Sequence, residues 1–131
     1  MHNYKQLKIW DKSIDLVVDI YKATAEFPKE EKYGITSQMH RSAVSISSNM
    51  AEGAGRNSDK EFCHFLSNAH GSSYELETQV IVSERLQMIT KDISESLCEK
   101  ISEIQKMNYS LQLTVNPELN GAGRKTPNPQ V

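Results

Sequence analysis

The residues with the clearest potential for chemistry are Glu61 and His64, which lie three positions apart on a segment predicted to be helical. Di-metal carboxylate sites in four-helix bundles use two such Glu-x-x-His elements, together with one glutamate from each of the two remaining helices. The other three histidines, His2, His40 and His70, lack a glutamate three residues earlier. Several ligands of a di-metal site are therefore missing, and we expect no metal and no cofactor.

Nucleophilic catalysis has no better support in the sequence. No serine lies in a G-x-S-x-G motif, and no glycine-rich phosphate loop follows a predicted strand. Cys63 and Cys98 form no C-x-x-C motif, and the polar segment Met1 to Trp10 does not have the character of a secretory leader. No apolar run approaches the roughly 20 residues that cross a bilayer. We therefore expect a non-enzymatic, cytoplasmic protein with reduced thiols and no membrane partner.

Nucleic-acid binding is the sharper functional hypothesis, and it depends on local charge. Fifteen Lys and Arg residues against seventeen Asp and Glu residues give a net charge of -2, which excludes a global basic field. The candidate phosphate-binding residues are Lys8, Lys12, Arg41, Arg56 and Lys60. A ring of identical subunits would repeat them as a positive collar. Asp11, Asp15 and Asp59 interrupt these clusters, so ordinary solvated side chains remain the alternative.

Helical periodicity predicts the elements that position these side chains, because apolar residues recur at three- and four-residue steps. Helix 1 is predicted from about Ile9 to Glu26, and helix 2 is predicted to end near residues 53–56. The buried stripe of helix 1 is predicted as Trp10, Ile14, Val17, Ile20 or Tyr21, Thr24 and Phe27. The buried stripe of helix 2 is predicted as Ile35, Met39, Ala43, Ile46 and Met50.

Two further helices follow. Ser58 and Glu61 form an S-x-x-E capping box that starts helix 3, and Thr90 can cap helix 4. Their predicted stripes are Phe62, Leu66, Ala69, Ser73, Leu76, Val80 and Ser83 on helix 3, and Ile93, Leu97, Ile101, Ile104, Asn108 and Leu111 on helix 4. Alternating steps of three and four favour nearly antiparallel packing. We predict an all-α, up-down-up-down four-helix bundle over residues 1–113, with a disordered tail over residues 114–131.

Several sequence blocks together are typical of one family. The blocks are Trp10, FPKEE at Phe27 to Glu31, SNMAEG at Ser48 to Gly53, and ELET at Glu75 to Thr78. With them, roughly residues 5 to 112 resemble the bacterial 23S rRNA intervening-sequence proteins, which are four-helix bundles. That family in turn resembles the accessory variability proteins of diversity-generating retroelements, which form pentamers and associate with nucleic acid and a reverse transcriptase. The resemblance implies a homopentamer.

Two polar stripes follow helical spacing on helices 2 and 3. They comprise Arg41, Ser45, Asn49, Glu52 and Arg56 on helix 2, and Glu61, His64, Asn68, Ser72, Glu75 and Gln79 on helix 3. Small residues crowd the segment Gln38 to Glu61, so close contact between helices or subunits is expected there. The interface candidates are Asn49, Glu52, Gly53, Gly71 and Glu75. The alternative is two solvated faces, with a Glu52–Arg56 pair worth about 0.2 to 0.5 kcal/mol.

The expected function is a homo-oligomeric scaffold or adaptor, with RNA or DNA binding as the working hypothesis. A protein-binding module without a nucleic-acid role is the alternative, and a metal-dependent enzyme is third.

Overall fold

The computed structural model describes residues 1–120, whose regular secondary structure is entirely helical and includes no strand. The four long helices are α1 (Lys8–Thr24), α2 (Ile35–Ala54), α3 (Asp59–Arg85) and α4 (Lys91–Val115). Short 3-10 turns occupy Tyr4–Gln6, Lys29–Glu31 and Pro117–Asn120. The predicted all-α four-helix bundle is confirmed. The predicted tail at 114–131 overlaps the end of α4 and the last 3-10 turn, and residues 121–131 lie outside the described residues.

Successive helices run antiparallel around a four-cornered bundle. Ser13 on α1 contacts Ser47 on α2, and Thr24 at the carboxyl end of α1 contacts His40 in the first turns of α2. Residue numbers therefore rise along one helix as they fall along the next. Within the described residues, α1 contacts α2 and α4, and α3 contacts α2 and α4, without contact across either diagonal. The groove between α2 and α3 therefore lies on the opposite side of the bundle from the groove between α1 and α4.

Local capping starts α3 and α4 where the sequence predicts. The Ser58 Oγ atom accepts a hydrogen bond from the Glu61 N–H group at 3.1 Å, and the Thr90 Oγ1 atom accepts one from the Ile93 N–H group at 3.2 Å. Each hydroxyl satisfies one of the amide groups that have no partner inside the helix.

The core of α3 agrees with the predicted stripe, since all seven of its residues are buried. The first half of the predicted α1 stripe is wrong by one residue, since Ile9, Ser13 and Leu16 are buried, whereas Trp10, Ile14 and Val17 are only partly buried. The second half, Ile20, Thr24 and Phe27, is buried as predicted. Ser13 tolerates burial because its Oγ atom donates to the Trp10 carbonyl at 2.6 Å and also bonds the Ser47 hydroxyl. A hydrogen-bonded serine thus occupies a core position that apolar periodicity alone does not predict.

The start of α4 also departs from the predicted stripe. Ile93 is 42% exposed, and Ser94 is buried in its place. Ser94 lies three residues before the buried Leu97, so it shares the core face of the helix, whereas Ile93 is turned about 100 degrees away from Ser94.

The turn between α3 and α4 contains the one non-glycine residue with a positive φ among the described residues, Gln87 at 60°. It occupies the left-handed position of a Schellman motif, in which the Met88 N–H group donates to the Ser83 carbonyl and the Gln87 N–H group donates to the Glu84 carbonyl, each at 2.9 Å. Glycine adopts this conformation without steric cost.

We therefore expect Gln87→Gly to raise the free energy of unfolding by up to about 1 kcal/mol, measured by urea denaturation. The matched control is Lys106→Gly at an exposed position inside α4, which should lower stability by about 1 kcal/mol. Equal decreases in the free energy of unfolding of both variants would contradict the prediction.

Candidate subunit interface

The two predicted polar stripes meet in one groove between α2 and α3. The groove has a volume of about 380 Å³ and is lined by Gln38, Arg41, Ser42, Ser45, Ser72, Glu75 and Gln79. Five of these residues belong to the predicted stripes. Gln38 and Ser42 do not, although each lies one helical turn from a stripe residue, which is the signal that helical spacing offers for them.

A small hydrogen-bond network holds the middle of the groove. The Ser45 and Ser72 hydroxyl oxygens lie 2.9 Å apart and join α2 to α3. The Asn49 side-chain amide donates to the Ser45 carbonyl at 2.8 Å and to the Ser45 hydroxyl at 3.0 Å. Asn49 therefore orients Ser45 toward α3, which agrees with its predicted place at a contact between helices.

The walls of the groove carry polar groups that have no ion-pair or hydrogen-bond partner within residues 1–120. Arg41 and Glu75 are both exposed, and neither forms an ion pair within residues 1–120. The Gln79 Oε1 atom is buried and has no hydrogen-bond partner there. Because an unpaired buried acceptor costs about 1 to 3 kcal/mol, a partner for it would be stabilising. The groove thus presents to a partner the Arg41 cation, the Glu75 anion and the Gln79 hydrogen-bond acceptor.

The opposite groove, between α1 and α4, contains two ion pairs between its own side chains. The Lys12 Nζ atom lies 2.7 Å from the Glu103 Oε1 atom, and the Lys100 Nζ atom donates to the Asp19 Oδ2 atom at 2.7 Å. The hydrogen bond and charge of Glu103 raise the pKa of Lys12. Two of the three lysines that line this groove are therefore neutralised, whereas Lys22 and Asp15 form no ion pair within residues 1–120.

The five predicted phosphate-binding residues do not form one surface on the chain. Lys12 lines the α1/α4 groove, Arg41 lines the α2/α3 groove, and Lys60 lines a groove between α3 and α4. Lys8 is exposed at the start of α1. The Arg56 guanidinium is bound to the Glu52 carboxylate at 2.8 Å and packs over the Phe65 ring, with its carbon 4.8 Å from the ring centroid.

The two interface glycines differ in their surroundings. A Cβ atom built on Gly53 would lie 2.6 Å from the Phe65 Cβ atom and 3.1 Å from the Phe62 Cδ1 atom. Gly53 thus lies at a close contact between α2 and α3 of the same chain. A Cβ atom on Gly71 would meet no atom within 4 Å, so no contact inside the chain requires glycine there.

The residues considered for metal binding point away from the core. Glu61 and His64 are both exposed, whereas a di-metal site needs inward ligands. Within residues 1–120, no group of three or more His, Cys, Asp or Glu side chains is placed to hold a metal ion.

His40, His70 and the two cysteines lie in partly or fully buried positions, whereas His2 is exposed. Burial lowers the pKa values of His40 and His70. Neither Cys63 nor Cys98 forms a disulfide within residues 1–120. Burial, and then the nearby Glu77 charge, raise the pKa of the Cys98 thiol, which opposes formation of the nucleophilic thiolate.

None of the helices described for residues 1–120 has the length and apolar character needed to cross a membrane.

Comparison with known proteins places these features in a family. Residues 5–110 match the sequence profile of the 23S rRNA-intervening sequence proteins. A crystal structure at 1.70 Å resolution, of a protein with unknown function from the S23 ribosomal protein family of Bacteroides thetaiotaomicron VPI-5482, is 27% identical and superposes with a TM-score of 0.72. The match covers 79% of this chain and 97% of that chain. Among curated proteins none matches, and neither of the two similarities indicates a catalytic activity. The chain therefore belongs to the 23S rRNA-intervening sequence protein family.

Proposed function

We propose that this protein is a non-enzymatic, homo-oligomeric scaffold or adaptor that assembles through the α2/α3 groove. The observation that carries the proposal is the contrast between the two opposite grooves. Within residues 1–120 the α2/α3 groove contains no ion pair, although Arg41 and Glu75 line it, whereas two ion pairs, Lys12–Glu103 and Lys100–Asp19, lie in the α1/α4 groove. Complementary charges across an interface select orientation and partner, so a second copy would use what the chain leaves unpaired.

The proposed assembly is a cytoplasmic homopentamer. The stoichiometry comes from the resemblance to pentameric accessory variability proteins, and the lack of a disulfide at Cys63 and Cys98 is consistent with a reducing compartment. A ring of this kind repeats every surface residue around its axis and can present one composite surface to a partner.

Light scattering on the purified chain tests the assembly. We expect a mass corresponding to five copies of the 14.8 kDa chain. Arg41→Glu should dissociate the assembly, because it places a second negative charge beside Glu75 in the groove. The matched control is Lys22→Glu, the same change of charge in the opposite groove, which should keep the mass of the natural protein. A monomeric natural protein, or equal dissociation by both variants, would contradict the proposal.

Contact with RNA or DNA is a second part of the working hypothesis. Lys8 and Lys60 form no ion pair within residues 1–120 and lie outside the α2/α3 groove, so they remain available to phosphate in an assembled ring. Filter binding on the same samples distinguishes the two kinds of adaptor. Affinity that falls steeply with added salt supports phosphate contact. No affinity at low salt would leave the protein-binding adaptor.

A further inference from the structure

The contact between Ser45 and Ser72 fixes the register of α2 against α3. The two hydroxyl oxygens lie 2.9 Å apart, and the helices run in opposite directions with a rise of about 1.5 Å per residue. A residue a given number of positions before Ser45 therefore lies at the same height as the residue that many positions after Ser72. The close approach of Gly53 to Phe65 shows the same register near the carboxyl end of α2.

Arg41 and Glu75 lie at nearly the same height on opposite walls of the α2/α3 groove. Arg41 is four positions before Ser45 and Glu75 is three positions after Ser72, so their heights differ by about 1.5 Å. Both side chains are exposed, and neither forms an ion pair within residues 1–120. The groove therefore has a cation on its α2 wall and an anion at matching height on its α3 wall.

Two side-chain amides continue this pattern one turn further along the groove. Gln38 is seven positions before Ser45, and Gln79 is seven positions after Ser72. The Gln79 Oε1 atom has no hydrogen-bond partner within residues 1–120, and the Gln38 amide is a donor. At both heights, each wall of the groove carries the chemical complement of the other wall.

The orientation of a second copy decides whether these complements meet. Rotation about an axis in front of the groove and parallel to the helices leaves every height unchanged, so α2 of one copy lies beside α3 of the next. Arg41 then faces Glu75 of that copy, whatever the number of copies. An antiparallel two-fold contact instead places α2 against α2. The one carboxylate of that helix, Glu52, is already bound to Arg56 at 2.8 Å, so Arg41 would face no free carboxylate there.

We propose that copies of the chain pack in parallel around an axis that runs along the helices, with the α2/α3 groove facing the axis and Arg41 of one copy paired with Glu75 of the next. This inference rests on the proposed assembly through the groove and adds its orientation and its main charged contact. Gln38 of one copy donates to Gln79 of the next. Every copy uses both walls of its groove, so the charges of Arg41 and Glu75 are neutralised all around the axis.

Charge reversal tests the pairing. Arg41→Glu and Glu75→Arg should each raise the dissociation constant of the assembly by about tenfold or more, measured by light scattering on dilution. The double variant should return that constant to within about threefold of the natural value, because the cation and the anion have exchanged walls. Glu99→Arg, the same change of charge at an exposed position of α4, should leave the constant unchanged.

The outcomes separate this pairing from the proposed function. If the double variant is as dissociated as the single variants, the pairing of Arg41 with Glu75 is overturned and assembly through the groove stands. A monomeric natural protein overturns both.

Cross-linking tests the orientation. Copies with Gln38→Cys and copies with Gln79→Cys carry different tags, are expressed together, and are oxidised after purification. We expect disulfide-linked pairs that contain both tags, because parallel packing places residue 38 beside residue 79 of the next copy. The natural protein, oxidised in the same way, is the control for Cys63 and Cys98. Cross-linking of Gln38→Cys copies with one another, or none between the two variants in an intact assembly, would overturn the parallel orientation.

Discussion

Gly53→Ala is expected to lower the free energy of unfolding by about 2 kcal/mol, because α2 and α3 have no room for a side chain at this position. The added Cβ atom would lie 2.6 Å from the Phe65 Cβ atom and 3.3 Å from the Phe62 carbonyl oxygen. Neither of these atoms belongs to the flexible end of a side chain, so relief requires the helices to separate. Urea denaturation at a fixed protein concentration measures the change.

Gly71→Ala is the matched control for this prediction. The substitution is the same and also lies in a helix, but the new methyl group meets no atom within 4 Å. Alanine should therefore raise stability by about 1 kcal/mol through its higher helix propensity. If the two variants had equal stability, the close approach of α2 to α3 would not be the reason that residue 53 must be glycine.

Asn108→Asp is expected to lower the free energy of unfolding by about 3 kcal/mol or more at neutral pH. Asn108 is 1% exposed, its amide donates to the Leu66 carbonyl at 2.9 Å, and its oxygen accepts from the Gln112 amide at 2.7 Å. An ionised carboxylate would keep the second bond and lose the first, and it would face the Leu66 carbonyl oxygen inside the core.

The loss in Asn108→Asp should depend on pH. Burial raises the pKa of the introduced carboxyl group above its value in the unfolded chain, so the folded state binds the proton more tightly. Stability should therefore be highest below the unfolded pKa of about 3.9 and fall as pH rises through the folded pKa, relative to the natural protein. Asn68→Asp, at an exposed position on α3, is the matched control and should show neither the loss nor this pH dependence. Parallel pH profiles for the two variants would contradict the prediction.

Local chemistry made much of the fold predictable. The Ser58 and Thr90 caps depend on hydroxyls three residues from their amide partners, and the α3 stripe depends on helical spacing alone. The first half of the α1 stripe was wrong because the buried position belongs to Ser13, which is satisfied by Ser47 from another helix. Such a partner is invisible to a pattern based on apolar residues.

The candidate site was predictable to the same extent. Spacing placed Arg41, Asn49 and Glu75 on polar stripes, and the structure joins these stripes in one groove. Spacing did not show that Lys12 is paired with Glu103, or that Lys12 and Arg41 lie on opposite sides of the bundle. Those facts depend on which helices are neighbours.

The sequence by itself determined four amphipathic helices, the starts of α3 and α4 and the polar character of α2 and α3, because these properties arise from interactions within about one helical turn. Only the tertiary structure decided which charges are neutralised and which groove keeps unpaired groups. The physical reason is that ion pairs such as Lys100 with Asp19 join residues 81 positions apart, and only helix packing brings them together.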